Sequence, residues 1–329
     1  MLNDKVILIT GGTGSFGHHF VSYVLKHYEP KKIIIYSRDE YKQFVMDHEY
    51  KEHQKILRYF IGDVRDEARL RMAMRGVDYV VHAAALKQVP VCEYNPNEAI
   101  KTNINGAMHV INAALGAGVR KVVALSTDKA VNPINLYGGT KLVSDKLFTA
   151  ANAYSGANGT KFAVVRYGNV AGSRGSVIPF FQNIINSGNR CLPITDMRMT
   201  RFWISLKQGV ELVIKAFEEA RGGETFISKI PSFKITDLAQ AMLPDCEVSE
   251  VGIREGEKLH EVMVTKEDSL HTYEYEKHYI VYPQYHWWGE KDVIPGGKLV
   301  EQGFEYSSGT NDKWLSVEDI RRLLKTDLS

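Results

Sequence analysis

Cysteine is scarce in this sequence. Three cysteines, Cys92, Cys191 and Cys246, stand far apart among its 329 residues. None has the close Cys or His neighbour that a zinc site requires, and an odd number cannot all pair as disulfides. This argues against a disulfide framework and indicates a reducing compartment. We predict three neutral thiols and no metal site, and no flanking pattern indicates a catalytic cysteine.

Long apolar runs and an excess of one charge are also missing. No segment approaches the roughly 20 apolar residues of a membrane span, and the formal net charge is only +2. The first residues, Met1 to Lys5, lead straight into an apolar strand instead of a leader with a cleavage site. These absences argue against membrane and nucleic-acid partners. We expect a soluble, cytoplasmic protein of one large or two unequal domains.

The first half of the chain alternates short β-branched runs with longer helical patterns. The predicted strands are 6–10, 32–37, 56–61, 79–83, 121–126 and 161–167. The predicted helices between them are 16–26, 41–51, 66–75, 97–115 and 135–154. Because the strands are apolar throughout, both faces of their sheet should be covered. The repeated strand–helix–strand units predict an α/β fold with a Rossmann-like, doubly wound parallel sheet.

The pattern changes after about residue 168. Loops lengthen, and the clearest helical segments are 179–187, 206–221 and 235–242. We predict a dinucleotide-binding domain at 1–168, to which later segments return. The remaining part, 169–329, is expected to form mainly a smaller, discontinuous C-terminal lobe that binds the substrate.

A glycine-rich turn follows the first strand directly. Residues 10–17 read TGGTGSFG, so Gly11, Gly14 and Gly17 recur at every third position before a helix. Glycine lets the backbone approach a pyrophosphate, and the helix N-terminus supplies N–H donors. The third glycine permits close packing of helix on strand. The position of the glycines after the first strand predicts a dinucleotide site.

The ends of the second and third strands indicate how the adenosine part of a cofactor is held. Ser37 and Arg38 come first after the second strand, and arginine matches a 2′-phosphate with its planar fork of donors. Asp39 follows and would suit the ribose of NAD, so these residues favour NADP without excluding NAD. Asp63 either lies near the adenine with Val64 or caps the next helix.

Small residues at the end of the fourth strand and directly after it leave room for the middle of the cofactor. Ala83, Ala84 and Ala85 occupy these positions. Asn103 lies within the next predicted helix, although asparagine is a mediocre helix former. It is either a cofactor residue or a solvated surface residue.

Tyr137 and Lys141 form a Tyr-x-x-x-Lys pair, one turn apart on the same helical face. A neighbouring ammonium should lower the pKa of the phenol. Tyr137 could then take a proton from a sugar hydroxyl while hydride leaves the same carbon. Thr127, at the end of the fifth strand, should hydrogen-bond the same oxygen. Tyr and Lys four positions apart also occur by chance. This pair is stronger evidence for a catalytic site because a glycine turn precedes it in the same chain.

Asp128 and Lys129 offer an acid and a base directly after the fifth strand. A sugar 4,6-dehydratase needs both, because the C-5 proton becomes acidic once C-4 is oxidised and the departing 6-hydroxyl must be protonated. Burial should lower the pKa of Lys129 enough for it to act as a base. The alternative is an exposed turn that carries two charges.

Several stretches of the chain match one known family. They include STDKA at 126–130, MTRFW at 199–203 and GEKLHE at 256–261. Others are 10–17, 36–40, 61–66, 82–87, 132–137, 166–170 and 172–177. In these stretches the chain resembles the inverting UDP-N-acetylglucosamine 4,6-dehydratases of pseudaminic acid biosynthesis, which are extended short-chain dehydrogenases/reductases. A related capsule branch has methionine where this chain has Tyr137, so the tyrosine favours the pseudaminic acid branch.

The resemblance implies a role for each matching residue. The implied catalytic residues are Thr127, Asp128, Lys129, Tyr137 and Lys141, with Lys129 as the C-5 base. The implied cofactor is NADP, bound by Thr10, Gly11, Thr13, Gly14, Ser15, Phe16, Gly17, Ser37, Arg38, Asp39, Lys42, Asp63, Val64, Ala83, Ala84, Ala85, Asn103, Tyr137 and Lys141. The implied substrate is UDP-N-acetylglucosamine, bound by Lys87, Asn169, Val177, Thr195, Met199, Arg201, Arg254 and Glu257. The family also implies a homo-oligomer, often a hexamer.

The expected reaction leaves the cofactor unchanged overall. C-4 is oxidised, water is eliminated across C-5 and C-6, and hydride returns to C-6, which gives a 4-keto-6-deoxy sugar with inverted C-5. Two alternatives stay open. A UDP-sugar 4-epimerase would use Tyr137 and Lys141 but not Lys129. A sensor or scaffold that binds NADP without chemistry would need none of the three.

Overall fold

A computed structural model describes residues 1–156, 159–172, 175–285 and 293–327. Its strands are β1 (Val6–Thr10), β2 (Lys32–Ser37), β3 (Leu57–Ile61), β4 (Tyr79–His82), β5 (Lys121–Thr127), β6 (Lys161–Tyr167), β7 (Cys191–Ile194), β8 (Thr200–Phe202), β9 (Thr225–Ser228), β10 (Ser232–Lys234), β11 (Glu247–Glu250), β12 (Val262–Val264), β13 (Thr272–Glu274), β14 (His278–Val281), β15 (Lys298–Leu299) and β16 (Tyr306–Ser307). Its α-helices are α1 (Ser15–His27), α2 (Glu40–Glu49), α3 (Glu67–Ala73), α4 (Val89–Tyr94), α5 (Pro96–Ile100), α6 (Gly106–Ala117), α7 (Leu136–Ala150), α8 (Val177–Asn186), α9 (Leu206–Glu219), α10 (Ile235–Met242) and α11 (Val317–Asp327). Positions 173 and 174 of the matching stretch 172–177 lie outside the described residues.

One large sheet organises these elements, in the order β15, β13, β14, β9, β6, β5, β4, β1, β2, β3. Every neighbouring pair from β3 to β9 is parallel, and β14, β13 and β15 add antiparallel pairs at the far edge. The order 3-2-1-4-5-6 of the first six strands is that of a doubly wound dinucleotide-binding sheet. The predicted α/β class with a Rossmann-like parallel sheet is confirmed.

Strand β1 shows how the sheet is covered on both faces. Ile7 and Ile9 belong to one apolar core together with α1 and α9. Leu8, between them, belongs to the opposite core with α3, α6 and α7. All three side chains are fully buried, which explains why the strand is apolar throughout instead of alternating. The helices therefore occupy the faces, and the carboxyl ends of the parallel strands are left to form a site.

The helix predicted at 97–115 is wrong as a single element. Helix α5 ends at Ile100, a π-helical turn spans Lys101–Asn105, and α6 begins at Gly106. The turn contains Asn103, whose side chain makes its hydrogen bonds outside the helix. Single π turns are frequent where a helix serves a site. The sequence pattern also gives no sign of α4, because six residues with a proline are too short to show helical periodicity.

Residues after 168 build a separate apolar core and also extend the main sheet. The core lies among α8, α10 and α11, with Phe181, Leu238 and Ile320 buried in it. The helices expected at 179–187, 206–221 and 235–242 are α8, α9 and α10. Strands β9, β13, β14 and β15 join the large sheet beyond β6. The boundary between the domains stays a prediction. Among the described residues, no helix has the length and apolarity needed to cross a membrane.

Candidate active site

A cleft of about 1060 Å³ opens at the carboxyl ends of the parallel strands, which is where ligands bind in sheets of this kind. The predicted site residues that line it are Gly11, Thr13, Gly14, Ser15, Phe16, Ser37, Arg38, Asp39, Lys42, Asp63, Val64, Ala83, Ala84, Ala85, Lys87, Thr127, Lys129, Tyr137, Lys141, Asn169, Arg201, Arg254 and Glu257. Those that do not line it are Thr10, Gly17, Asn103, Asp128, Val177, Thr195 and Met199.

The glycine turn presents its backbone to the cleft. Gly11 has a φ of 68°, and a Cβ there would lie 2.9 Å from the Ala84 backbone nitrogen. Helix α1 begins after Gly14 with no side-chain cap and no acidic residue in its first turn, so its first N–H groups suit an anion. Gly17 lies behind the turn, where a Cβ would overlap the Gly12 carbonyl group. These features fit the pyrophosphate of a dinucleotide.

Thr10 and Asn103 lie behind the cleft. The Ala84 N–H donates to Thr10 Oγ1 at 3.3 Å. The Asn103 amide accepts from the Leu86 N–H at 2.8 Å, donates to the Leu86 carbonyl at 2.9 Å, and donates to Thr140 Oγ1 at 3.0 Å. Asn103 is 2% exposed, so the surface alternative is wrong. Both residues fix the segment after β4 that does line the cleft.

Two cations stand where the adenosine ribose is expected. Arg38 is half exposed, with its guanidinium 3.6 Å from Asp63, and Lys42 Nζ is 2.7 Å from Asp39. Asp39 also caps α2, because its carboxylate accepts from the Lys42 N–H at 2.9 Å. The Asp39 carboxylate, which would suit the ribose of NAD, is therefore already engaged at the start of α2.

Asp63 does not cap the next helix, so that alternative is wrong. The cap of α3 is Asp66, which accepts from the Arg69 N–H at 2.9 Å. Asp63 accepts from the backbone and side chain of Arg65. With Val64 it lines the cleft, and the place of both residues near the adenine stays a prediction.

Helix α7 carries Tyr137 to the end of β5. Asn135 caps the start of the helix, and its side chain accepts from the Gly138 N–H at 2.7 Å. A Cβ on Gly138 would overlap the carbonyl of Lys129, so glycine alone lets the helix begin this close to the turn after β5. Sequence reasoning did not single out Gly138, because its role depends on a contact with a different element.

Tyr137 and Lys141 share a helical face but do not form the expected charge pair. Lys141 Nζ donates to the Leu125 carbonyl at 2.7 Å, and burial lowers the pKa of this amine against the opposing effect of Asp145. Burial raises the pKa of Tyr137 to about 12, and Lys129 opposes it only in part. The expectation that Lys141 lowers the Tyr137 pKa is therefore wrong, because burial outweighs the nearby charges.

A buried polar chain leads away from the phenol. Thr127 Oγ1 is within hydrogen-bonding reach of Tyr137 and donates to Asp128 Oδ1 at 2.9 Å. Lys129 Nζ is 3.1 Å from the same Asp128 oxygen and 3.4 Å from Asn169 Oδ1. Asp128 is 0% exposed, and its other oxygen has no hydrogen-bond partner among the described residues. The alternative of an exposed turn with two charges is therefore wrong.

Glu261 completes this group, although the sequence analysis gave it no role. Its Oε1 is 3.3 Å from Lys129 Nζ and 3.6 Å from Arg201 Nε. Burial lowers the pKa of Lys129, but Asp128 and Glu261 outweigh burial and raise this pKa above its ordinary value. The expectation that burial alone makes Lys129 a base is therefore wrong. Burial also raises the pKa of Asp128, against the effect of Lys129.

A second cavity of about 490 Å³ adjoins the cleft in the C-terminal half. Val177, Thr195 and Met199 line it. The predicted residues that line both spaces are Asn169, Arg201, Arg254 and Glu257. The structure thus brings all eight predicted substrate residues to two spaces that share four of them. Among the described residues, no cluster of three or more His, Cys, Asp or Glu side chains could hold a metal ion.

Known proteins resemble this chain in sequence and in fold. Residues 7–283 match the family described as polysaccharide biosynthesis protein. The chain belongs to this family of extended short-chain dehydrogenases/reductases. The resemblance predicted from the motifs is confirmed, because an inverting UDP-N-acetylglucosamine 4,6-dehydratase of Campylobacter jejuni (strain 81-176) is 55% identical over 326 residues, with 97% of each chain covered.

Two other proteins resemble this chain over nearly its whole length. A UDP-glucose 4-epimerase of Rickettsia akari is 43% identical over 341 residues, with 99% of this chain and 97% of the relative covered. The X-ray structure of Pen from Bacillus thuringiensis has a TM-score of 0.90 and 38% identity, and covers 100% of this chain and 99% of its own. Members of one fold therefore carry names for different reactions, so the residues of the site and not the fold define the reaction.

Proposed function

We propose that this protein is an inverting UDP-N-acetylglucosamine 4,6-dehydratase, a hydro-lyase that forms a 4-keto-6-deoxy sugar with inverted C-5. The pair of buried Asp128 and partly exposed Lys129 next to Tyr137 carries the proposal. Elimination of water needs an acid and a base beyond the residue that serves C-4, whereas epimerisation at C-4 does not. The relative from Campylobacter jejuni that is named for this reaction supports the assignment.

We infer that the cofactor is NADP, bound with its pyrophosphate at residues 10–17. Arg38 and Lys42 stand at the ribose end as cations for a 2′-phosphate, and Asp39 is engaged in capping α2. Bound there, the dinucleotide would supply the hydride acceptor for C-4 and the hydride donor for C-6. The protein residues then only have to bind, orient and move protons.

Tyr137 takes the proton of the C-4 hydroxyl. Because burial raises its pKa to about 12, the phenol has to pass on its own proton as it accepts the new one. Thr127 provides the route to Asp128, to which it donates at 2.9 Å. Asp128, whose pKa burial raises, delivers that proton to the departing C-6 hydroxyl. The proton lost at C-4 thereby leaves as part of the water.

Lys129 removes the C-5 proton and has to be neutral when it does so. Asp128 and Glu261 hold its ammonium form, which raises its pKa above the ordinary value even though burial acts in the other direction. The neutral fraction of Lys129 therefore grows with pH, and turnover should rise with it. C-5 then takes a proton that originates in solvent on the opposite face, which gives the inversion, and Lys129 returns its own proton to solvent.

The test of this function is to incubate the purified protein with UDP-N-acetylglucosamine and NADP and to follow the sugar nucleotide by mass spectrometry. Loss of one water, with deuterium at C-5 when the reaction runs in deuterated water, is the expected result. NMR coupling constants of the ring then report inversion at C-5. An unchanged mass with a new C-4 epimer would identify an epimerase instead, and no turnover with any nucleotide sugar would support a sensor.

Lys129→Ala separates the dehydratase from the epimerase most sharply. We expect loss of turnover by about 10²–10⁴-fold, the usual contribution of a general base. Lys146→Ala on the exposed side of α7 is the matched control and should keep full activity. Retention of sugar conversion by Lys129→Ala would contradict the role given to this amine.

Arg38→Ala tests the choice of cofactor. If Arg38 binds a 2′-phosphate, this change should weaken NADP binding by about 10–100-fold, as expected for a hydrogen bond to a charged group. NAD binding should change little, because NAD lacks that phosphate. Titration calorimetry with both dinucleotides measures the ratio, and Arg75→Ala, an exposed arginine away from the cleft, is the control. Equal losses for both dinucleotides would contradict the proposal.

The resemblance also favours the first step of pseudaminic acid biosynthesis, a cytoplasmic location and a homo-oligomeric assembly. These three points stay predictions. Size-exclusion chromatography with light scattering measures the assembly.

A further inference from the structure

We propose that Glu261 is a positioning residue for Lys129, which fixes the amine between two carboxylates and holds it in its charged form. The inference rests on the dehydratase function proposed above, and it assigns a role to a residue outside the matching catalytic pair. It can be examined without turnover, because the charge of Lys129 is measurable in the protein alone.

The two carboxylates reach Lys129 from different parts of the chain. Asp128, its neighbour in the turn after β5, places an oxygen 3.1 Å from Nζ. Glu261, directly before β12, places an oxygen 3.3 Å from the same atom. The Lys129 side chain keeps 23% of its surface exposed, so it still faces the cleft. The amine is thus held from behind and open towards the substrate.

Glu261 is itself held in a fixed position. Its N–H donates to Ser308 Oγ at 2.9 Å, and the Ser308 N–H donates to the Glu261 carbonyl at 2.8 Å. Ser308 is fully buried and bonds Thr200 Oγ1 at 2.8 Å. The second carboxylate oxygen of Glu261 has no hydrogen-bond partner among the described residues. Its polar contacts through the carboxylate are therefore concentrated on Lys129 and Arg201.

The charges around Glu261 keep it ionised. The groups that face it are Lys129 from the turn after β5, Arg201 from β8, Lys258 from the segment before β12, and Asp128. Burial pushes the pKa of Glu261 up, but the three cations outweigh burial and lower it. A fixed negative charge at this place opposes proton loss from Lys129 and from Asp128 alike. Its removal should make both groups lose their protons at lower pH.

The experiment compares kcat as a function of pH for the wild type, Glu261→Gln, Glu261→Asp and the control Glu267→Gln. Gln keeps the size of the side chain and removes its charge. The part of the profile in which kcat rises with pH should therefore move to lower pH by about one unit, which is the lower end of the pKa shifts that one nearby charge causes. Asp keeps the charge and should return the rising part of the kcat profile towards its wild-type position. Glu267 is exposed beyond β12, and its variant should match the wild type.

Competitive acylation of Lys129, read by peptide mass spectrometry across the pH range, gives the same titration without substrate. The midpoint should fall in Glu261→Gln and recover in Glu261→Asp. A midpoint equal to that of the wild type in folded Glu261→Gln would overturn the inference, as would a lower kcat with an unmoved pH profile. If the wild type forms no dehydrated product, the proposed function fails, and the acylation midpoints still decide the role of Glu261.

Discussion

At the scale of single residues, Asn103 shows how one amide fixes a segment that lines the site. Its side chain pairs with both backbone groups of Leu86 and with Thr140, inside the protein. Leu86 belongs to the segment after β4, next to the three alanines expected to border the cofactor. The amide thus supplies partners that no strand or helix supplies there.

Asn103→Ala should destabilise the protein by about 1–3 kcal/mol, because it leaves buried backbone groups without partners. It should also weaken dinucleotide binding, since the segment after β4 loses its support. Urea unfolding and a dinucleotide titration measure the two effects. Asn105→Ala, two residues later and exposed in the same π turn, should change neither. Equal effects of the two substitutions would contradict this account.

Sequence reasoning reached some site residues and missed others for a physical reason. Tyr137 and Lys141 could be predicted because a helix brings positions four apart together. Glu261 meets Lys129 only after β5 and the segment before β12 pack together, and its one sequence signal was its place in the GEKLHE stretch. The direction of the pKa of Lys129 could not be predicted either, because it depends on that distant carboxylate.

At the scale of elements, the start of α7 and the turn after β5 form one packed unit. Gly138 faces the Lys129 carbonyl so closely that a Cβ would overlap it. For Gly139, the next residue of the same helix, a Cβ would meet no atom within 4 Å among the described residues beyond its chain neighbours and the backbone of its own helix. Gly138 and Gly139 therefore offer a matched comparison, because only Gly138 faces the Lys129 carbonyl.

Gly138→Ala should push the turn that carries Asp128 and Lys129 away from Tyr137. We expect destabilisation of about 1–3 kcal/mol, typical of overpacking, and a large loss of kcat. Gly139→Ala should stabilise the protein by about 0.5–1 kcal/mol, because alanine is the better helix former. Thermal unfolding and steady-state kinetics of both variants measure this. A harmless Gly138→Ala would show that the helix and the turn are not coupled.

The elements also differ in how far the sequence predicts them. Strands β1 to β6 carry continuous apolar runs and follow one another through helices, so their pairing is the simplest topology. Strands β9, β13, β14 and β15 have two to four residues each. Runs this short carry no clear period, and their positions depend on partners distant in the chain. The sequence predicts that later segments return to the dinucleotide-binding domain, but it does not predict which residues do so.

At the scale of the whole molecule, one buried histidine should contribute to acid sensitivity. His82, at the end of β4, is 2% exposed and bonds Thr10. Burial, with a smaller effect of Lys141, lowers the pKa of His82 from 6.5 to about 3. Between these values the unfolded chain binds a proton that the folded protein does not. Stability from this residue is therefore complete above pH 6.5 and is lost as the pH falls towards 3.

The free energy of unfolding should change by about 1.4 kcal/mol per pH unit in this window, because one proton is bound on unfolding. Urea unfolding at a series of pH values measures it, and His82→Gln should flatten the slope in this window. The exposed His27→Gln is the control and should leave the slope as in the wild type. A slope that is the same in all three proteins would contradict the assignment to His82.

Strand β6 lies in the sheet between one strand that is synthesised before it and one that is synthesised after it. β6 pairs with β5 on one side and with β9 on the other, and β9 begins only at Thr225. At roughly 5–20 residues per second, the ribosome needs several seconds to make the stretch between them. During that time β6, buried along six of its seven residues in the finished protein, offers an unpaired apolar edge of the kind that recruits other chains. Translation speed between residues 168 and 225 therefore sets how long each new molecule is open to self-association.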